Sequence, residues 1–107
     1  MVNKELVLDD LFHALSDTTR RRILRDLSKG DQIISKLPNP NSISLVAMTK
    51  HIAILERAKL VTRTRKGKAS ILTLNSKKLQ IAENWINFYS KFWNQKLDAL
   101  DTFLEKD

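Results

Sequence analysis

The 107-residue sequence contains no cysteine, which excludes disulfides, thiolate metal sites and cysteine-based catalysis. Only two glycines and two prolines occur, and this scarcity of turn-forming residues predicts a mostly helical chain with few loops. No apolar run reaches the roughly 18 residues that a membrane span needs. The acidic residues Glu5, Asp9 and Asp10 also interrupt any apolar core of a signal peptide. We therefore expect a protein that makes no membrane contact and stays in the cytoplasm.

The length predicts a single domain over residues 1–107 with a modest hydrophobic core. The sequence also lacks paired catalytic carboxylates, a nucleophile next to a base, and a glycine-rich phosphate loop. An enzyme is therefore not expected. A core of this size makes a dimer plausible, because a partner would bury additional apolar surface.

Positive charge is concentrated in the centre of the chain. The net charge is +7, but residues 20–68 carry 13 lysines and arginines against three acidic residues, a local charge of +10. The two flanks together are therefore mildly acidic, at −3. A basic centre of this kind is typical of proteins that bind a polyanion, and we expect double-stranded DNA.

Two helices are predicted before the end of the first third of the chain. Residues 5–15 place an apolar stripe on one helical face, and Asp17 can cap a second helix that ends near Gly30. Three arginines, at 20–22, lie in the first turns of that second helix, where positive charge opposes the helix dipole. They therefore have another use, either contact with phosphate groups or salt bridges to Asp17 or Asp26.

A helix-turn-helix is predicted over residues 32–60. A short helix over 32–37 is ended by Pro38, which cannot continue a helix. Ser44 then caps a longer helix over 44–60.

The longer helix has two unlike faces. Met48, Ile52 and Leu55 recur at steps of four and three, so they share one buried face. The opposite face is small, polar and basic, and it is formed by Val46, Thr49, Lys50 and Ala53. A face without long acidic and basic pairs can approach a partner closely, so we predict that this helix enters the major groove of DNA.

A β-hairpin is predicted over residues 61–74. Residues 61–65 follow an alternating pattern and are rich in β-branched side chains, as in a strand. Residues 66–68 form a turn, and 69–74 form the second strand. Four of the six residues over 63–68 are lysine or arginine, which is more than solvation of a hairpin tip requires. This hairpin is predicted to be a wing that contacts the DNA backbone or minor groove.

A long aromatic helix is predicted over residues 76–105. Five of the seven aromatic residues of the chain lie close together within residues 85–93 of it, namely Trp85, Phe88, Tyr89, Phe92 and Trp93. A domain this small cannot cover such a helix on every side, so we expect the apolar area to meet a second copy of the chain. A ligand pocket among the aromatic side chains is the alternative.

The element order predicts an α+β fold that is mostly α, with a hairpin wing and a long C-terminal dimerisation helix. The chain resembles the ArsR family of winged helix-turn-helix repressors, in the branch without metal ligands. The resemblance begins at residues 11–24, LFHALSDTTRRRIL, continues through 43–52 and 55–61, and includes 67–75. Thr18 stands where the family usually has proline, and Lys59 stands where glycine is common.

The resemblance implies a homodimer that binds an inverted repeat near a promoter and represses transcription. Metal-sensing members need cysteine in the third helix, or aspartate and histidine with further histidine or glutamate in the last helix. Here His13 and His51 are the only imidazoles, so neither a metal nor another cofactor is expected. His51 matches a position near the DNA-facing surface, where it is expected to form a hydrogen bond.

The resemblance and the charge pattern together predict the contacts. Val46, Thr49 and Lys50 are expected to contact base edges, with Val46 suited to a thymine methyl group and Lys50 to guanine. Phosphate contacts are expected mainly from the wing, with Arg20 and Lys36 as further candidates. The full predicted DNA-binding set is Ser44, Leu45, Val46, Thr49, Lys50, His51, Arg57, Arg63, Arg65, Lys66 and Lys68. The predicted dimer interface comprises Leu8, Leu11, Phe12, Trp85, Phe88, Tyr89, Phe92 and Trp93.

Two other functions remain open from the sequence. A winged helix can bind protein instead of DNA, with the aromatic helix as the docking surface. A regulator can also respond to a small-molecule effector, of unknown identity, that binds the cluster over residues 85–93.

Overall fold

The computed structural model describes residues 4–105, which form four α-helices and one three-stranded antiparallel sheet. The prediction of a mostly helical α+β fold with a hairpin wing is confirmed. The elements in chain order are α1 Lys4–Leu15, α2 Thr18–Leu27, β1 Gln32–Ile33, α3 Leu45–Arg57, β2 Val61–Lys66, β3 Ala69–Leu74 and α4 Ser76–Glu105.

Both predicted N-caps are present. The carboxylate of Asp17 accepts a hydrogen bond from the backbone N–H of Arg20 at the start of α2. The hydroxyl of Ser44 accepts one from the backbone N–H of Ala47 at the start of α3, at 3.1 Å. Each cap satisfies a backbone donor that has no partner within the helix, so these two residues fix where the helices begin.

The predicted helix over residues 32–37 is wrong. Gln32 and Ile33 instead form β1, which pairs with Leu72 and Ile71 of β3. Only a single 3-10 turn, Ile34–Lys36, follows this strand. A helix of six residues is too short to offset the free-energy cost of its first turn, whereas the β-branched Ile33 fits a sheet edge that β3 leaves open.

The wing is a regular hairpin. β2 pairs with β3 from Val61 opposite Leu74 to Lys66 opposite Ala69, and Gly67 takes the left-handed turn position with φ of 63°. Only the base of the hairpin is buried, through Val61 and Leu72, and the tip is exposed. The sheet therefore holds the wing by its base beside α3.

The core lies among α1, α2, α3 and the base of the sheet. Its fully buried large side chains are Leu11, Ile52, Leu55, Leu60 and Leu72. In contrast, Ala82 is the one buried residue in the whole of α4. The first half of α4 packs on α1, where the rings of Phe12 and Trp85 meet edge to face at 5.4 Å.

Candidate nucleic-acid interface

The two faces of α3 separate as the sequence predicts. Ile52 and Leu55 are almost fully buried on the inner face. On the outer face, Val46 is 65% exposed and its neighbours Thr49, Lys50 and Ala53 are exposed as well. These four residues, here called the α3 outer face, carry one positive charge, one hydroxyl and two small apolar groups. Such a surface can meet the edges of DNA bases without steric hindrance.

A groove separates the start of α3 from the wing. Its volume is about 440 Å³, and its floor is apolar, with Leu37, Met48 and Ile52 among the lining residues. Arg63 and Lys68 line it from the wing. The groove gives the wing and α3 a shared concave surface with positive charge along one side.

The cations of the wing are all exposed, but they are not equivalent. The guanidinium of Arg63 forms an ion pair with Glu56 of α3, with Nη2 and Oε1 2.6 Å apart. Arg65, Lys66 and Lys68 form no ion pair with any residue between 4 and 105. The tip of the wing is therefore free to contact phosphate groups, whereas Arg63 must first leave a carboxylate.

The predicted phosphate contact by Arg20 is wrong. Arg20 is only 6% exposed, and its guanidinium donates to the carbonyls of Ala14 and His13 at the end of α1. The guanidinium of Arg20 also forms no ion pair with Asp17 or Asp26 in the described chain, so the alternative prediction fails for this residue. The carboxylate of Asp17 instead accepts a hydrogen bond from the backbone N–H of Arg20. Within α2, Arg21 and Arg25 remain exposed on the protein surface.

His51 lies at the edge of the proposed DNA-binding surface, not on its outward face. Its side chain is 20% exposed, and Nδ1 lies 3.1 Å from Nη1 of Arg20. The same Nδ1 is 3.7 Å from the carboxylate of Asp17. The sequence contains no local pattern that pairs positions 31 residues apart, so this inward contact could not be predicted.

The environment of Asp17 alters its acidity. Partial burial acts to raise the pKa of Asp17. The backbone N–H of Arg20, the neighbouring imidazole of His51, the charge of Arg20 and the backbone N–H of Thr19 act in the opposite direction. The pKa of Asp17 is consequently below its ordinary value of 3.8, so the capping carboxylate stays ionised at neutral pH.

One residue of the predicted dimer interface is misplaced. Leu11 has no exposed surface, because it points into the core of its own protomer and cannot reach a partner. Leu8 and Phe12 are half-buried on α1. The five aromatic residues that the predicted interface takes from α4 are 44% to 69% exposed, and they contact one another along the helix.

The apolar surface of α4 continues beyond residues 85–93. Leu97, Leu100, Phe103 and Leu104 are each at least 51% exposed. Phe103 was not singled out by the sequence reasoning, although it lies five turns after Trp85 and close to the same helical angle. At 100° per residue, the apolar side chains from Trp85 to Leu104 occupy about half of the circumference. The polar residues fill the other half, except for Lys96, whose ammonium lies 5.4 Å from the centre of the Phe92 ring.

The described residues contain neither a metal-binding cluster nor a membrane-spanning helix. Between residues 4 and 105, no group of three or more histidine, aspartate or glutamate side chains is arranged to hold a metal ion. No helix in that range has the length and apolar character needed to cross a bilayer.

Two curated relatives from Bacillus subtilis (strain 168) resemble the chain. The transcriptional repressor SdpR is 35% identical over 85 residues, which cover 78% of this chain and 94% of the relative. The uncharacterized HTH-type transcriptional regulator YuzN is 39% identical over 88 residues, covering 73% of this chain and 94% of the relative.

A solved structure shares the fold over most of its length. The crystal structure of an ArsR family transcriptional regulator superposes with a TM-score of 0.79 at 28% identity. The match covers 88% of this chain and 97% of that one. No protein-family model matches the chain.

Proposed function

Because the chain belongs to the ArsR family of DNA-binding transcriptional regulators, we propose that it binds an inverted-repeat operator as a homodimer and represses transcription. One α3 helix enters the major groove at each half-site, and each wing contacts the adjacent backbone. The proposal puts the protein in the cytoplasm, where it reaches chromosomal DNA.

The observation that carries the proposal is the exposed α3 outer face beside a wing whose tip cations form no ion pair within residues 4–105. Val46, Thr49 and Lys50 offer an apolar side chain, a hydroxyl and an ammonium on the exposed surface of α3. Arg65, Lys66 and Lys68 supply the charge that attracts phosphate groups. Base contacts give sequence preference, and phosphate contacts give affinity and orientation.

The homodimer is supported by the apolar half of α4. Ten large side chains from Trp85 to Leu104 are each at least 44% exposed in the protomer. Complete burial of one such side chain contributes about 1.5–3 kcal/mol, so leaving all of them in water is costly. Since closed two-fold dimers are the commonest oligomers, a second copy is the simplest cover.

Repression is proposed because a curated relative, SdpR, is named a transcriptional repressor. A dimer bound across a promoter would exclude polymerase. We also propose that the protein does not respond to metal, because the sequence contains no cysteine and α4 contains no histidine.

The operator can be found by selecting bound duplexes from a random DNA pool with the full-length protein. We expect an inverted repeat whose half-sites lie about 34 Å apart, one turn of DNA, as the two-fold axis of a dimer requires. A selected motif without two-fold symmetry would contradict the homodimeric mode. No enrichment at all at low salt would contradict sequence-specific recognition by this chain.

A further inference from the structure

Arg20 is the one buried charged residue in the described part of the chain, and it sits where a cation is poorly placed for its own helix. It is the third residue of α2, near the positive end of that helix dipole. Its guanidinium extends instead to the C-terminal end of α1, where the helix dipole is negative. Nε donates to the carbonyl of Ala14 at 2.9 Å and Nη2 to the carbonyl of His13 at 3.0 Å. Neither carbonyl has a partner within α1, and the carbonyl of His13 also accepts from the backbone N–H and the hydroxyl of Ser16, so Arg20 and Ser16 together close the end of that helix.

The remaining arm of Arg20 reaches α3. Nη1 lies 3.1 Å from Nδ1 of His51. A guanidinium can only donate and stays protonated, so Nδ1 must accept with its lone pair. A neutral His51 then carries its ring proton on Nε2. The contact with Arg20 thereby selects one of the two tautomers of this histidine.

The other ring nitrogen, Nε2, retains some accessible surface. Among residues 4–105 no buried side-chain nitrogen or oxygen lacks a hydrogen-bond partner. Within that range Nε2 of His51 has no hydrogen-bond partner, so this atom is open to solvent. His51 follows Lys50 and therefore lies about 100° around α3 from it, at the flank of the outward face. For a helix in the major groove, the outward face meets base edges and a flank meets the phosphate walls.

We propose that the two ring nitrogens of His51 have different roles, Nδ1 in the fold and Nε2 in DNA binding. Nδ1 is held by Arg20, and Nε2–H donates to a phosphate oxygen of the DNA backbone. Arg20 is a positioning residue in this arrangement, because it touches no DNA and acts through His51. The charged groups facing the ring are Arg20 and Asp17, from α2 and its cap, while α1 contributes the carbonyls that hold Arg20. This inference rests on the proposed binding of DNA by α3.

Two substitutions separate the roles of the two nitrogens. Asparagine keeps an acceptor near the position of Nδ1 but has nothing at Nε2, whereas glutamine reaches the position of Nε2 but loses Nδ1. We expect His51→Asn to keep a near-native urea midpoint while its affinity for the selected duplex falls about tenfold. We expect His51→Gln to lower the urea midpoint and, under conditions where both variants are folded, to bind more tightly than His51→Asn.

The salt dependence and the choice of DNA identify the acceptor. A neutral donor releases no counterion, so His51→Asn should leave the slope of log K against log salt unchanged. If Nε2 donates to a phosphate, its loss in His51→Asn should weaken binding equally to the selected duplex and to a scrambled duplex. A loss confined to the selected duplex would indicate a base contact and would overturn the phosphate assignment. Native affinity of His51→Asn would overturn the proposal while leaving DNA binding by the protein intact.

The role of Arg20 has a spectroscopic test. In the wild-type protein at about pH 8, where histidine is ordinarily neutral, ¹⁵N NMR should show an unprotonated Nδ1 and a protonated Nε2 for His51. Arg20→Lys keeps the charge but cannot span three acceptors, so we expect the His51 signals to shift toward a mixture of tautomers. A protonated Nδ1 in the wild type, or an unchanged tautomer in Arg20→Lys, would contradict the positioning role. These spectra need no DNA, so their outcome is independent of whether the protein binds an operator.

Discussion

Lys59 has a backbone conformation that its side chain disfavours. Its φ is 62°, and it follows α3 at the position where glycine is usual. The hydrogen bonds from Leu60 N to Leu55 O and from Lys59 N to Glu56 O form a Schellman motif, which fixes this conformation. Only three residues separate the end of α3 from the start of the wing, so the strain is the cost of an abrupt change of direction.

Lys59→Gly should therefore stabilise the protein by about 1 kcal/mol, because glycine removes the left-handed strain at the expense of some unfolded-state entropy. The measurement is the free energy of unfolding in urea. Lys59→Ala serves as the control, since it removes the charge but keeps the Cβ. If both variants have equal stability, the backbone is not the source of the effect.

Asp17 should give the fold a component of stability that depends on pH. Its pKa is lower in the folded protein, so the contribution is fully present above the ordinary value of 3.8 and is lost as pH falls through the folded value. Asp17→Asn keeps a capping oxygen without the charge. We expect the wild type to be more stable than Asp17→Asn at pH 7, and the difference to shrink in acid below about pH 4. A constant difference across that range would contradict the charge effect.

At the scale of the elements, we propose that the wing and α3 have separate tasks in DNA binding. α3 presents few charges to the groove, whereas Arg65, Lys66 and Lys68 at the hairpin tip are cations without ion pairs in the described chain. The wing should therefore control affinity for any sequence, and α3 should control the choice of sequence.

Lys66→Ala with Lys68→Ala should weaken binding to all sequences and reduce the salt slope by up to about two. Anisotropy titrations at several salt concentrations give that slope. Lys29→Ala with Lys91→Ala removes the same charge from outside the proposed interface and should leave the slope nearly unchanged. If the two pairs behave alike, the wing makes no special contact with DNA.

The elements also show what sequence reasoning can and cannot reach. Local signals located the caps at Asp17 and Ser44, the hairpin, and the two faces of α3, because each depends on residues within a few positions. The strand at Gln32 depends on a partner 40 residues away, so its helical pattern was misleading. The same holds for Arg20 and Leu11, whose burial is decided by packing between helices.

At the scale of the whole molecule, α4 makes the chain long and exposes a large apolar surface. The protomer extends 69 Å, and most of α4 has an apolar half with nothing over it. A dimer through this surface would explain why so many aromatic residues lie outside the core of the single chain. It would also hold two α3 helices at a fixed spacing.

Trp93→Glu should convert the proposed dimer to a monomer, because it introduces a charge into the apolar half of α4. Asn94→Glu is the matched control, since the neighbouring residue lies on the polar half. Sedimentation equilibrium of both variants measures the molecular mass. Equal dimerisation of the two variants would indicate that this face of α4 is not the interface.

The central claim is that the α3 outer face reads DNA, and footprinting of Thr49→Ala with Lys50→Ala on the selected duplex tests it most directly. Both side chains are exposed and lie outside the core, so the variant should keep its fold and its oligomeric state. The account predicts that protection of the half-sites disappears while weak, salt-sensitive binding through the wing remains. A footprint identical to that of the wild type would contradict it.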